Sequence, residues 1–111
     1  MASIVMSNEA ENDLETIGDY IAEQLKSPKA ALDTIRGIKK AIDKLADFPL
    51  KGRRLSSVAL IDTEYRFIGY GNYLAFYRLC GDTVFIDRVL YGKRDYISIL
   101  FSEELDEETQ I

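Results

Sequence analysis

A chain of 111 residues with 47% apolar side chains can bury one modest core and is too short for two ordinary domains. No apolar run approaches the roughly 18 residues a membrane span needs. The opening "MASIVMSNEAEND" also lacks the cationic start and apolar stretch of a signal peptide, so a cytoplasmic protein with no membrane partner is expected. Cys80 is the single cysteine, which excludes an internal disulfide and a cysteine-based zinc site, and the net charge of −5 is unlike that of a free-standing nucleic-acid binder.

In chain order, the apolar run 3–6 reads as a short strand. Asn8 follows as a helix N-cap, with Glu11 three residues on, where its side chain can return to the cap's own N–H. Ala10, Leu14, Ile17, Ile21 and Leu25 recur at helical spacing, while Glu9, Glu11, Asp13, Glu15, Asp19 and Glu23 fall mostly off that stripe. This predicts an amphipathic helix of about 17 residues, modestly weakened by Gly18. Acids in this pattern follow a solvent face, so we expect neither a metal site nor a cofactor. Ser27-Pro28 restarts the pattern, since serine caps and proline suits the first helical position. The second stripe is Ala31, Ile35, Ile38, Ile42 and Leu45, and Phe48-Pro49 ends it. Two helices with almost no linker should lie antiparallel as a hairpin.

Residues 50–62 have no clean period and read mainly as a loop. Three runs rich in aromatic and β-branched residues follow, over 63–70, 72–80 and 83–91, broken at Gly71-Asn72 and Gly81-Asp82. Such short breaks with turn residues predict an antiparallel meander. Residues 95–101 fit either a last strand or a helical turn. The fold class is therefore α+β: an N-terminal strand, an antiparallel helical hairpin and a three-strand meander, forming one sheet covered on one face by the helices. Residues 1–102 make the single domain, and 103–111 an acidic tail whose composition predicts disorder.

Side chains along a strand alternate between faces. We place Tyr65, Phe67, Tyr73, Ala75, Tyr77, Leu79, Phe85, Val89 and Tyr91 toward the helices, with Asp87 among them. The other face then carries Glu64, Arg66, Ile68, Tyr70, Leu74, Phe76, Arg78, Val84, Ile86, Arg88 and Leu90, where arginines stand among large apolar groups. A β-bulge would exchange the faces beyond it. Either the chain's own C-terminal segment covers this second face, with its arginines paired to Glu64 and Asp87, or the face is a partner-binding or phosphate-binding groove. Charge is asymmetric: residues 1–50 hold 6 cations and 9 acids, residues 51–102 hold 8 and 5, and residues 103–108 hold five more acids. The second half thus permits a local phosphate-facing patch. Within it, Lys51, Arg53 and Arg54 form either a solvated basic turn or a contact for a binding partner.

The opening "SNEAENDLETIGDYI", then "YRFIGYGNYLAFYRL" and "VFIDRVLYGKRDY", resemble in order and spacing the toxins of the RelE/ParE superfamily, the toxic halves of bacterial type II toxin–antitoxin modules. The resemblance covers residues 3–100 and implies the fold just derived, with a cognate antitoxin that wraps the toxin. It leaves two activities open. RelE-like members cut mRNA in the ribosomal A site, and ParE-like members inhibit DNA gyrase without being nucleases. We take the first, a metal-independent endoribonuclease with ribosome and mRNA as partners, as the leading expectation, and gyrase inhibition as the alternative.

Cleavage requires a 2′-hydroxyl to lose its proton while the charge that develops on phosphate is stabilised. Without histidine, cations and tyrosine must serve. The resemblance nominates Arg94 for charge stabilisation and Arg66 as a second cation. Tyr91 stands where the family often has histidine. Arg78 and Arg88 are expected on the same face. Lys93, Ile68, Leu74 and Phe76, with Lys51, Arg53 and Arg54, are candidates for binding nucleic acid or a partner. The chain departs from the RelE-like pattern at Leu74, Ile68 and Leu100, where cations or a tyrosine are expected, and those departures count against cleavage.

Overall fold

The computed structural model describes residues 1–59 and 62–101; the acidic tail expected over 103–111 lies outside them. The elements are β1 (Ser3–Met6), α1 (Asn8–Gln24), α2 (Pro28–Asp43), β2 (Arg53–Arg54), β3 (Arg66–Tyr70), β4 (Tyr73–Cys80), β5 (Thr83–Tyr91) and α3 (Tyr96–Leu100). Short 3₁₀ turns follow α2 and β2, at Lys44–Ala46 and Leu55–Ser57. One sheet of five strands runs β1-β5-β4-β3-β2, antiparallel throughout except that β1 lies parallel to β5. This is the expected α+β architecture with one edge strand added, because "RR" in the presumed loop pairs with Phe67 and Arg66.

The helices form where the stripes place them. Ala10, Leu14, Ile17 and Ile21 of α1, and Ala31, Ile38 and Ile42 of α2, are buried in one cluster with Ala75, Tyr77, Val84, Ile86 and Val89 of the sheet. Ser7, not Asn8, caps α1, its hydroxyl accepting the Ala10 N–H at 2.9 Å. That shift of one residue takes Glu11 out of the position a reciprocal cap would need. Ser27 caps α2 as expected, accepting from Ala30 N–H at 3.1 Å, with Pro28 in the first turn.

The face assignment needs correction on two strands. Each hairpin turn has two residues, opened by Gly71 or Gly81 in the left-handed region at φ 57°. A two-residue turn pairs Tyr70 with Tyr73 and Cys80 with Thr83, so partners on one face have numbers of opposite parity. Ile68 therefore sits beside Ala75, and Val84 beside Leu79, on the helix side. Phe67 pairs with Phe76 on the far side, where Tyr65 also packs. On β4 the expected faces hold. On β5 the pattern reverses at a bulge: Phe76 pairs with Arg88 but Tyr77 with Ile86, leaving Asp87 as the extra residue. Beyond it Val89 again faces the helices, as expected.

The bulge is clamped by α1. The Ser7 hydroxyl donates to the Asp87 carbonyl at 2.8 Å, and Ser7 N–H to the Ile86 carbonyl at 3.0 Å. Nearly two turns further on, Asp13 accepts Arg88 Nε at 2.7 Å, Arg88 Nη2 at 2.8 Å and the Val89 N–H at 2.9 Å. The far face of the sheet is closed by the chain's own C-terminal segment. Phe76, Leu90 and Leu55 are buried beneath Tyr96, Ile97, Leu100 and Phe101, with Phe76 and Tyr96 ring centroids 5.1 Å apart. Residues 96–100 form a helical turn, capped by Asp95 accepting from Ser98. The loop before β2 is fastened too: the buried Tyr77 hydroxyl accepts Gly52 N–H at 2.9 Å and donates to the Pro49 carbonyl at 2.8 Å.

Two stability predictions follow from these contacts. Asp13→Ala leaves Arg88 and the Val89 N–H without their acceptor, and should cost about 2–3 kcal/mol in urea unfolding. Arg78→Ala breaks the more exposed Arg78–Asp87 pair, with the arginine side chain 50% exposed against 27% for Arg88, and should cost under about 1 kcal/mol. Equal losses would contradict the clamp. Alanine at Gly37 or Gly52 would place Cβ 2.0 Å from the Tyr70 ring or 2.4 Å from the Tyr77 hydroxyl. Tyr70 is 41% exposed and can swing away, whereas Tyr77 is fully buried and the Phe67 carbonyl also closes on Gly52 at 2.9 Å. Gly52→Ala should therefore lower the melting temperature markedly more than Gly37→Ala.

Candidate functional site

The four arginines nominated for phosphate chemistry do not converge. Arg66 lies opposite Tyr77 on the helix side of the sheet, and its Nη1 donates to the backbone carbonyls of Gly52 at 2.9 Å and Leu50 at 3.4 Å. Its role is to hold the loop that Tyr77 also fastens. Burial pushes the Tyr77 hydroxyl pKa up, against the opposing pull of the Gly52 N–H and the Arg66 charge, so this tyrosine is no poised acid. Arg78 lies on the far face, bound to Asp87 through Nε at 2.6 Å and Nη2 at 3.3 Å, with its guanidinium 5.5 Å from the centre of the Tyr65 ring. Arg88, turned by the bulge, points to α1 and its Asp13. The hydrogen bonds to Asp87 and Asp13 are the leading causes that raise the pKa of these two arginines, against desolvation, which lowers it.

Arg94 stands apart from all three. It occupies the turn after β5, its N–H donating to the Tyr91 carbonyl at 3.0 Å, with the residue exposed. Lys93 is exposed beside it, and Tyr91, 38% exposed, meets Tyr73 edge-on at 5.9 Å between ring centroids. Burial leads the causes that raise the Tyr73 pKa, followed by the neighbouring Tyr20 and Tyr91. Of the apolar candidates, Ile68 packs into the helix-side core, and Leu74 and Phe76 lie in the cluster that α3 covers. Of the two readings of this sheet surface, the covered one matches the structure: the chain's own C-terminal segment fills it. Lys51, Arg53 and Arg54 are exposed at the β2 edge.

Two features escaped the sequence reading. Asp13 lies three residues after Ala10 and four before Ile17, within the buried stripe rather than off it, and an acid there signals a partner inside the fold. Ser7 has a double role as cap and bulge clamp. No group of three or more cysteine, aspartate or glutamate side chains among the described residues could hold a metal ion. No helix is long and apolar enough to cross a membrane among them.

Comparison with known proteins places this arrangement. The family described as "ParE toxin of type II toxin-antitoxin system, parDE" matches residues 4–96. A solved structure titled "Chromosomal ParDE TA system from P. aeruginosa" shares the fold with a TM-score of 0.65 at 22% identity, over 80% of this chain and 94% of that one. A search among curated proteins finds no match. The match falls on the ParE branch, and this overturns the leading expectation of a ribosome-dependent endoribonuclease with ribosome and mRNA as partners. The engagement of Arg66, Arg78 and Arg88 by the protein's own groups is the physical counterpart of that correction. The chain belongs to the family of ParE toxins of type II toxin–antitoxin systems.

Proposed function

We propose that this chain inhibits DNA gyrase without cutting nucleic acid, and that a cognate antitoxin silences it by covering the same surface. The observation that carries this reading is the ParE family match over residues 4–96. The side-chain geometry supports it. A nuclease needs cations that meet at one phosphate and a group to receive a proton. Here Arg66 is bonded to backbone carbonyls, and Arg78 and Arg88 to carboxylates. The end of β5 and the turn after it stand open to a partner. There Tyr91, Lys93 and Arg94 are exposed together, an aromatic ring beside two cations of the kind that anchors protein interfaces.

Purified chain should therefore block supercoiling by gyrase in a dose-dependent manner. Primer extension on mRNA from cells expressing the chain should show no new cuts within translated codons. Arg94→Ala should weaken gyrase inhibition by about tenfold, the effect of losing one interface contact of about 1.4 kcal/mol, without a change in melting temperature. Codon-spaced cuts together with normal supercoiling would overturn the proposal.

A further inference from the structure

The loop between α2 and β2 turns large apolar side chains outward on a fixed backbone. Phe48 and Leu50 are 65% and 66% exposed, and neither joins the two buried clusters. Yet the carbonyls along the loop are taken up inside the chain. The Phe48 carbonyl accepts the Lys51 N–H at 3.1 Å, the Pro49 carbonyl the Tyr77 hydroxyl at 2.8 Å, and the Leu50 and Gly52 carbonyls the Arg66 guanidinium. An exposed apolar pair on a preorganised support has the form of a docking knob. Lys51, Arg53 and Arg54 are exposed beside it, and Asp47 is the one acid of residues 47–54.

An apolar groove with the opposite rim lies between α1 and α2. It measures about 430 Å³ and is lined by Leu14, Gly18 and Ile35, a size within the range of clefts that hold ligands. Glu11, Glu15 and Asp19 also line it, exposed and four residues apart along α1, with Lys39 on the α2 side. Neither these acids nor the knob's cations form an ion pair among the described residues, where the pairs are Arg78–Asp87 and Arg88–Asp13. Gly18 sits inside α1, where glycine costs helix stability. A Cβ there would meet Ile35 at an ordinary 3.5 Å, so helix packing does not demand the glycine. A longer side chain would fill the groove.

We propose that the Phe48–Leu50 knob of one chain docks in the α1–α2 groove of a second copy, setting Lys51, Arg53 and Arg54 against Glu11, Glu15 and Asp19. This contact is independent of the gyrase reading. The occupant is a second copy because the chain carries both halves: acids exceed cations by 9 to 6 over residues 1–50, and cations exceed acids by 8 to 5 over residues 51–102. The contact joins different surfaces of the two copies, and a patch this small makes it weak.

The test is sedimentation velocity of the full-length chain from about 1 µM to about 1 mM. The average mass of the wild type should rise above the monomer as concentration increases. The knob variant (Lys51→Glu, Arg53→Glu and Arg54→Glu) and the groove variant (Glu15→Lys and Asp19→Lys) should each stay monomeric, because knob and groove then carry the same sign. Mixed in equal amounts, the two should associate again, acidic knob in basic groove. Gly18→Leu, which fills the groove without changing charge, should stay monomeric with no fall in melting temperature. A wild type that remains monomeric throughout would overturn the proposal. So would association that survives either reversal, or a mixture of the two variants that stays monomeric.

Discussion

The fold depends on the clamp that α1 places on the β5 bulge. A bulge interrupts the ladder and leaves backbone groups that a regular strand would satisfy. Here α1 supplies the missing partners. Ser7 takes the Asp87 carbonyl, and Asp13 takes the Val89 N–H together with the Arg88 guanidinium. The contacts lock the helix to the sheet in one register. They also set the direction of the side chains beyond the bulge, which is why Val89 returns to the helix-side core. Asp13 is well placed for such a role: at 12% side-chain exposure its charge is largely removed from water, and three hydrogen bonds replace the lost hydration.

The same economy explains why a cation-rich half of the chain makes no phosphate clamp. The bulge converts Arg88 into a structural tie. Asp87, the extra residue, holds Arg78 on the other side. Arg66 replaces missing backbone partners in the loop before β2. Each of these three arginines is occupied by the protein's own groups, and Leu74 and Phe76 lie in the cluster that α3 covers. The other cations of this half, Lys51, Arg53, Arg54, Lys93 and Arg94, are exposed at the β2 edge and in the turn after β5.

Much of this was legible in the residues. The two helical stripes, the Ser27-Pro28 start and the two glycine turns each express a local rule, and the helices and meander follow them. The faces of β3 and the first half of β5 went wrong because alternation was carried by residue number through turns of two residues, which exchange parity. The bulge has no such signal: Asp87 and Arg88 sit in a run that alternates well enough without one. β2 was hidden because two residues are too few to show a period. The five residues of α3 are likewise too few to separate a strand from a helical turn. The site failed for a different cause. Arginines on a predicted sheet face say nothing of which carboxylate or carbonyl will reach them, and Asp13 is 75 residues from its partner. Only the family resemblance bore on activity, and it left both branches standing.

The most direct measurement of the central claim is a double-mutant cycle between Asp13 and Arg88, read by urea unfolding of the two single variants and the double variant. A clamp made by the pair itself predicts a coupling of about 1.5–3 kcal/mol, so that the double variant loses much less than the sum of the singles. Additive losses would mean that the two residues act independently, and that the bulge is held without the bond between them.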